Sequence, residues 1–118
     1  MPKKIKSIIT GGAGFIGSHL AEKLVSDGHK VIIIDNLKND NLKNLKEIKN
    51  KITFVKADIS INNNWANHFK NANNVFHLAA LADIVPSISK PKEYFDTNVT
   101  GTFNVLEACK SNSNARLI

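Results

Sequence analysis

Three glycines at a three-residue pitch, Gly11, Gly14 and Gly17, lie between a β-branched run and a helical one. That junction constrains the fold more than any other stretch. Ile5, Ser7, Ile8 and Ile9 ahead of it read as a short buried strand. Phe15, Ile16, His19, Leu20, Lys23 and Leu24 behind it recur at helical spacing. A strand-to-helix turn of this composition suits a phosphate. Gly11 takes a tight backbone conformation that a Cβ forbids. Gly14 allows close approach of a pyrophosphate, and Gly17 lets the helix pack on the strand. The unpaired N–H groups and positive dipole end of that helix face the ligand's charge. A glycine-rich turn with no ligand is the competing reading, and the remaining chain must decide.

The helix from about Phe15 to Ser26 stops at Asp27-Gly28, a C-terminal glycine signal. Lys30 to Asp35 follows, with four consecutive β-branched apolar residues that indicate a strand buried on both faces, as in a parallel sheet. Strand, helix and strand thus form a βαβ unit. After a polar turn over 36–41, Leu42, Leu45 and Ile48 fit a short amphipathic helix or an ordered loop. Ile52 to Ala57 reads as a third strand, and Trp65, Phe69 and Ala72 as one apolar stripe of a helix between 61 and 73. Asn74 to Ala80 reads as a fourth strand, and 82–92 as a loop punctuated by Pro86 and Pro91. A long helix is expected from Pro91 to Ser111, with Tyr94, Phe95, Asn98, Val99, Thr102, Phe103, Leu106 and Cys109 inward. Ala115 to Ile118 looks like the opening of a fifth strand. The alternation indicates an α/β, doubly wound parallel sheet of Rossmann type, cut at the start of its fifth strand. We therefore expect residues 1–118 to be the N-terminal part of a longer chain.

At 118 residues there is room for one core and not two. No apolar run nears the ~20 residues of a membrane span. Met1-Pro2-Lys3-Lys4-Ile5 passes from basic residues straight into the first strand, without a secretory apolar region. One cysteine, Cys109, excludes an internal disulfide framework and a cysteine-based zinc site, so a cytoplasmic setting and no metal are expected. The net charge of +6 comes from sixteen basic residues, all lysine but Arg116, spread along the chain. They form no aromatic-interleaved stripe, so nucleic acid is not expected as a partner.

In a sheet of this type ligands bind outside the carboxyl ends of the strands. The residues there are Thr10-Gly11-Gly12, Asp35-Asn36, Asp58-Ile59 and His77 to Ala80, so all four tips can line one crevice. Asp35 lies eighteen residues past Gly17. A carboxylate there accepts both hydroxyl hydrogens of an adenosine ribose and repels a 2′-phosphate, which favours NAD over NADP. Its alternative is a turn residue that ends the strand. Asp58 suits either the adenine amino group or a helix N-cap, and Ile59 suits packing on the adenine ring. Ala79 and Ala80 are small where a cofactor backbone would pass, or where helix and strand pack tightly. His77 and Cys109 read as core residues.

The runs Thr10-Gly-Gly-Ala-Gly-Phe-Ile-Gly-Ser-His-Leu20, Asp35-Asn36-Leu37, Asp58-Ile59, His77-Leu-Ala-Ala80 and Asn98-Val-Thr-Gly-Thr102 resemble the extended short-chain dehydrogenase/reductase family. Within it they resemble the NAD-dependent epimerase/dehydratase branch acting on nucleotide sugars. The resemblance implies that Gly11, Gly14, Phe15, Ile16 and Gly17 cradle the NAD pyrophosphate. It implies that Asp35 and Asn36, with Asn39 and Asp40, hold the adenosine ribose, and that Asp58 and Ile59 contact adenine. Leu78, Ala79 and Ala80 would lie along the nicotinamide half, and Asn98 would steady the nearby strand ends or the cofactor. The family's chemistry needs a Ser or Thr and a Tyr-x-x-x-Lys pair, whose lysine lowers the tyrosine's pKa while hydride passes to NAD. No such pair occurs in the 118 residues: four positions after Tyr94 stands Asn98. No catalytic residue is therefore assigned, and the chain alone is expected to be inactive.

The dehydratases of this branch carry a Ser-His-Val-Asp-Arg-like run before a Ser-Ile; here Ala82-Asp83-Ile84-Val85-Pro86 precede Ser87-Ile88. That departure favours a 4-epimerase of a UDP-sugar such as UDP-glucose, acting by transient oxidation at C4. Those epimerases often place a lysine where this chain has Ala82. A 4,6-dehydratase and a non-catalytic NAD-binding regulatory module are the alternatives. The resemblance also implies a homodimer for the full-length protein and a sugar-binding domain beyond these residues.

Overall fold

The computed structural model describes residues 4–112 and 114–118. Met1, Pro2 and Lys3, the basic lead-in, lie outside them. Five strands form one parallel sheet in the order β3-β2-β1-β4-β5: β1 Lys6–Thr10, β2 Lys30–Asp35, β3 Ile52–Lys56, β4 Asn74–His77 and β5 Arg116–Leu117. Helix α1 spans Phe15–Ser26, as its periodicity predicts, and ends at Gly28, whose φ of +84° suits glycine. Among the described residues no helix is long and apolar enough to cross a membrane.

Strand alternation divides the core in two. Ile8, Ile32, Ile34 and Val75 face one side, where they pack with Trp65, Phe69, Ala72, Val105 and Ala108. Ile9, Val31 and Ile33 face the other, against Ala21 and Leu24 of α1 and against Leu45 and Ile48. Both faces of the central strands are thus covered, which is why their sequence runs apolar without a polar alternation. Each fully buried isoleucine contributes about 1.5–3 kcal/mol, and Ile8, Ile9, Ile33 and Ile34 are all inaccessible to solvent.

The secondary layers differ from the sequence expectation in instructive ways. Leu42–Lys51 and Asn64–Phe69 are 3₁₀ segments, capped by the side chains of Asn41 and Asn63. The stripe Trp65, Phe69 and Ala72 is nevertheless buried as expected. Residues 84–89 are not loop: Ile84–Ser89 forms a short helix, α2, with Pro86 in its first turn, where a missing N–H costs little. β4 ends at His77, so Leu78, Ala79 and Ala80 belong to the segment that follows it.

The long helix exists but presents a different face. α3 (Pro91–Phe95) continues through a π-helical turn, Asp96–Thr100, into α4 (Gly101–Asn112). Gly101, Val105, Ala108 and Cys109 are buried, whereas Phe95, Val99, Phe103 and Leu106 are exposed. The cause is steric. A Cβ at Gly101 would stand 2.9 Å from Ile59 Cδ1, so the small-residue stripe is the one that can approach the sheet. Periodicity identifies two apolar stripes on this helix but not which one is narrow enough.

Gly17 is the tightest point of the α1–β1 contact. A Cβ there would strike the carbonyl oxygen of Gly11 and stand 2.8 Å from Gly12 Cα, backbone atoms that cannot rotate away. We expect Gly17→Ala to destabilise the chain by about 1–3 kcal/mol, measured by urea unfolding. A variant as stable as the parent would show that α1 shifts freely on the sheet.

Candidate functional site

The first turn of α1 presents N–H donors at the carboxyl end of β1. Gly11, at φ +71°, turns the chain out of the strand. Its missing Cβ leaves room for the backbone of Ala79, whose N would otherwise be 2.7 Å away. Gly14 is the N-cap residue of α1 and offers no side-chain cap, and the first intrahelical bond is Ser18 N–H to Gly14 O (2.9 Å). Gly14 N–H is taken by Gly11 O (3.2 Å), which leaves the amides of Phe15, Ile16 and Gly17 as the unpaired donors of a helix N-terminus.

These donors border a crevice of about 310 Å³, at the small end of ligand pockets. Gly11, Gly14, Phe15, Ile16 and Gly17 line it from the turn. Asp35, Asn36 and Asn39 line it from the tip of β2 and the turn after it, Asp58 and Ile59 from the segment after β3, and Leu78, Ala79 and Ala80 from the segment after β4. With Asp40 on the same wall, all fifteen candidates named from the sequence therefore meet in one place except Asn98. Its amide is engaged twice with Leu81, accepting from Leu81 N–H and donating to Leu81 O, each at 2.8 Å. Leu81 itself lines the crevice, as do Ile34, Asp40, Ala57 and Thr97. Thr97 has no sequence signal, because only the helical path after Pro91 carries it there.

Asp35 is buried and has structural work as well. Its Oδ2 accepts from Ala13 N–H (3.0 Å) and its Oδ1 from Leu37 N–H (2.7 Å), so one carboxylate ties the glycine turn to the tip of β2. Asp40 folds back over the same spot. A Cβ on Gly14 would lie 3.1 Å from Asp40 Oδ1, and its carboxyl is within hydrogen-bonding reach of Asp35. Burial, then the hydrogen bond and negative charge of Asp35, push the Asp40 carboxyl up to about 6. Asp58 is partly committed too: its Oδ1 accepts from both the N–H (2.9 Å) and the hydroxyl (2.7 Å) of Ser60. It caps this turn, whereas Asn63 caps the 3₁₀ segment.

His77 joins the rim of the crevice to the helix behind it. Thr102 Oγ1 donates to Asn98 O (2.7 Å), so it accepts from His77 Nε2 (2.8 Å). Nδ1 then accepts from Thr10 Oγ1 (2.7 Å), which in turn accepts from Leu78 N–H (3.1 Å) and Ala79 N–H (3.2 Å). Every proton and lone pair is used only if the ring is neutral and protonated on Nε2. Burial correspondingly holds its pKa below the ordinary 6.5. His77 is a half-buried structural histidine, in keeping with its reading as core.

The family model described as GDP-mannose 4,6 dehydratase matches residues 8–118. The Bifunctional protein GAL10 of Candida maltosa is 40% identical over 115 residues, which cover 90% of this chain and 74% of that protein. A UDP-glucose 4-epimerase of Klebsiella pneumoniae is 36% identical over 113 residues, 91% of this chain and 81% of its own length. The chain spans about a third of the length of several other curated relatives. A solved UDP-glucose 4-epimerase of Thermus thermophilus, in complex with NAD, superposes with a TM-score of 0.79 and 33% identity. It covers 90% of this chain, which spans 34% of that enzyme.

The two shifted groups give opposite pH effects. For His77 the unfolded chain takes up its proton first, so stability is whole above about pH 6.5 and is lost as pH falls below it. For Asp40 the unfolded chain loses its proton first, near 3.8, so stability is lost as pH rises from there through about 6. We expect His77→Gln to remove the first slope and Asp40→Asn the second, in thermal melts across pH 3–8. Profiles parallel to the parent's would refute both assignments.

Proposed function

This chain belongs to the GDP-mannose 4,6 dehydratase family of extended short-chain dehydrogenases/reductases, and we propose that it is the NAD-binding part of a nucleotide-sugar 4-epimerase. The supporting observation is the convergence of the glycine turn with the tips of β2, β3 and β4 on one crevice. The fit to NAD rests on the glycines. Gly11 and Gly17 leave no room for a Cβ, so their side of the crevice is bare backbone. The Gly11 N–H is held by Ile34 O (2.8 Å), and the amides of the first turn of α1, Phe15 to Gly17, are the ones that can receive a pyrophosphate. In this reading Gly11, Gly14, Phe15, Ile16 and Gly17 hold that group. Asp35, with Asn36 and Asn39, accepts from the adenosine ribose. Asp58 and Ile59 border adenine, and Leu78, Ala79 and Ala80 border the nicotinamide half. Asn98 positions Leu81 on the same wall.

NAD, when bound, supplies the hydride acceptor for oxidation of the sugar at C4. The chain's own contribution is to bind and orient. Asp35 needs no reorganisation to accept a ribose hydroxyl, because the two backbone bonds already fix its carboxylate. The proton-transferring tyrosine and its lysine have no counterpart among the 118 residues. We accordingly propose residues 1–118 as the cofactor portion of a longer, homodimeric, cytoplasmic enzyme acting on a UDP-sugar, with no turnover by this portion alone. The description of the matching family model favours a second reading, a nucleotide-sugar 4,6-dehydratase. Ala82-Asp83-Ile84-Val85-Pro86 weighs against it.

Cofactor titration followed by saturation-transfer NMR tests the proposal. We expect weak binding of NAD and about tenfold weaker binding of NADP, whose 2′-phosphate meets the carboxylates of Asp35 and Asp40. We expect Asp35→Ala to weaken NAD about tenfold, with the folded spectrum checked in parallel. Equal affinity for both cofactors, or NAD binding indifferent to Asp35, would instead support a phosphate-binding domain unrelated to NAD.

A further inference from the structure

The opposite end of the sheet carries a second concavity that nothing in the cofactor reading uses. It is an open groove of about 870 Å³ at the amino ends of β1 and β2, lined by Lys4, Lys6, Lys30 and Lys110 together with Asn71 and Asn73. No acidic side chain lines it among the described residues. The ion pairs found among those residues join Lys23 to Asp27, Lys38 to Glu93 and Lys92 to Asp96, and involve none of these four lysines.

The arrangement is built rather than incidental to a lysine-rich surface. Lys6 and Lys30 are register partners on adjacent parallel strands, so their side chains leave the same face side by side. Like charges so placed destabilise a sheet unless a counter-charge sits between them. Lys6 is also held in place: its Nζ donates to Lys70 O (2.6 Å) and its N–H to Asn73 Oδ1 (2.8 Å). Partial burial, and then the charge of Lys30, lower its pKa. Asn71, at φ +63°, bends the backbone at the rim of the groove. Lys110 comes in from the last turn of α4, so three separate segments, β1 with its lead-in, β2 and α4, deliver cations to one space.

We propose that this groove binds a phosphate-bearing anion. A phosphate group brings more than one negative charge and enough oxygens for several ammonium and amide donors at once, which a single carboxylate does not. The groove's volume lies within the range that holds a small organic ligand. A free pyrophosphate and a nucleoside diphosphate share this chemistry. The site is independent of NAD binding, since it lies at the other end of the strands.

Titration of the full chain with inorganic pyrophosphate, followed by amide chemical shifts, tests the site. We expect Lys6, Lys30, Asn71 and Asn73 to shift along one saturating curve. Any shifts at Gly11–Gly17 report the cofactor crevice and should be separable, because Lys6→Gln/Lys30→Gln leaves them in place. That double variant should weaken the groove's affinity about tenfold. Lys110→Gln, an exposed position outside the sheet, should weaken it about threefold and serves if the double variant does not fold. Lys46→Gln/Lys49→Gln, on the exposed side of the first 3₁₀ segment, should leave it unchanged. A parallel titration with UDP distinguishes the sources: equal affinity means that the phosphates alone are read, and tighter binding that the nucleoside is read too. Absence of saturable shifts in the groove, or equal loss in the control variant, would overturn the proposal and leave only diffuse surface charge.

Discussion

The fold depends on one close approach, that of the glycine turn to its two neighbours. Gly11 must pass the backbone of Ala79, and Gly17 must lie on the carbonyl of Gly11 and the Cα of Gly12. A side chain at either point would part α1 from β1 or β1 from β4. Since β1 is the central strand, paired to β2 on one side and β4 on the other, that separation would reach both cores. The geometry that lets the sheet pack is therefore the geometry that leaves bare amides facing the crevice. Structure and ligand-binding capacity come from the same missing Cβ atoms.

The strand tips are tied to each other by side chains that also border the crevice. Asp35 joins the tip of β2 to the glycine turn, and Thr10 and His77 join β1, β4 and α4. These are polar groups at the end of an apolar sheet, and each has its hydrogen-bond capacity used by a specific partner. The described residues contain no buried side-chain nitrogen or oxygen left without a partner. A rim of this kind is rigid before any ligand arrives, which reduces the ordering cost of binding.

What could be read in the sequence was what short-range patterns encode. The β-branched runs marked β1 to β3 with errors of a residue at most, the glycine turn marked the start of α1, and Asp27-Gly28 marked its end. The crevice was legible because strand tips are fixed once the sheet is parallel. The face of α4 was not legible, because the choice between its small stripe and its large one depends on the space above Ile59. Nor was the 84–89 helix, where Pro86 looks like a breaker unless it falls in the first turn. The departure of Asp40 toward Asp35 was also hidden. It depends on the conformation of residues 36–41, where Leu37 takes a positive φ of 60° that no sequence rule assigns to leucine.

The two ends of the sheet handle charge by different means. Among the described residues no lysine or arginine lines the carboxyl-end crevice, and Asp35, Asp40 and Asp58 all do. An anion there is received by backbone N–H groups and the dipole of α1, with the neutral side chains of Asn36, Asn39 and Thr97 on the same wall, at short range and in a fixed direction. Such a site selects by geometry and is little affected by salt, since no mobile cation pair is displaced. The amino-end groove is the converse, with lysine ammonium groups and, among the described residues, no carboxylate. Its attraction is long-range, tolerant of ligand shape and screened within about 10 Å at ordinary ionic strength. The carboxylates that line the first end repel negative charge away from the glycine turn. A net charge of +6 on the whole chain thus says little about either site. What matters is that, among the described residues, no lysine lines the crevice that the glycines border.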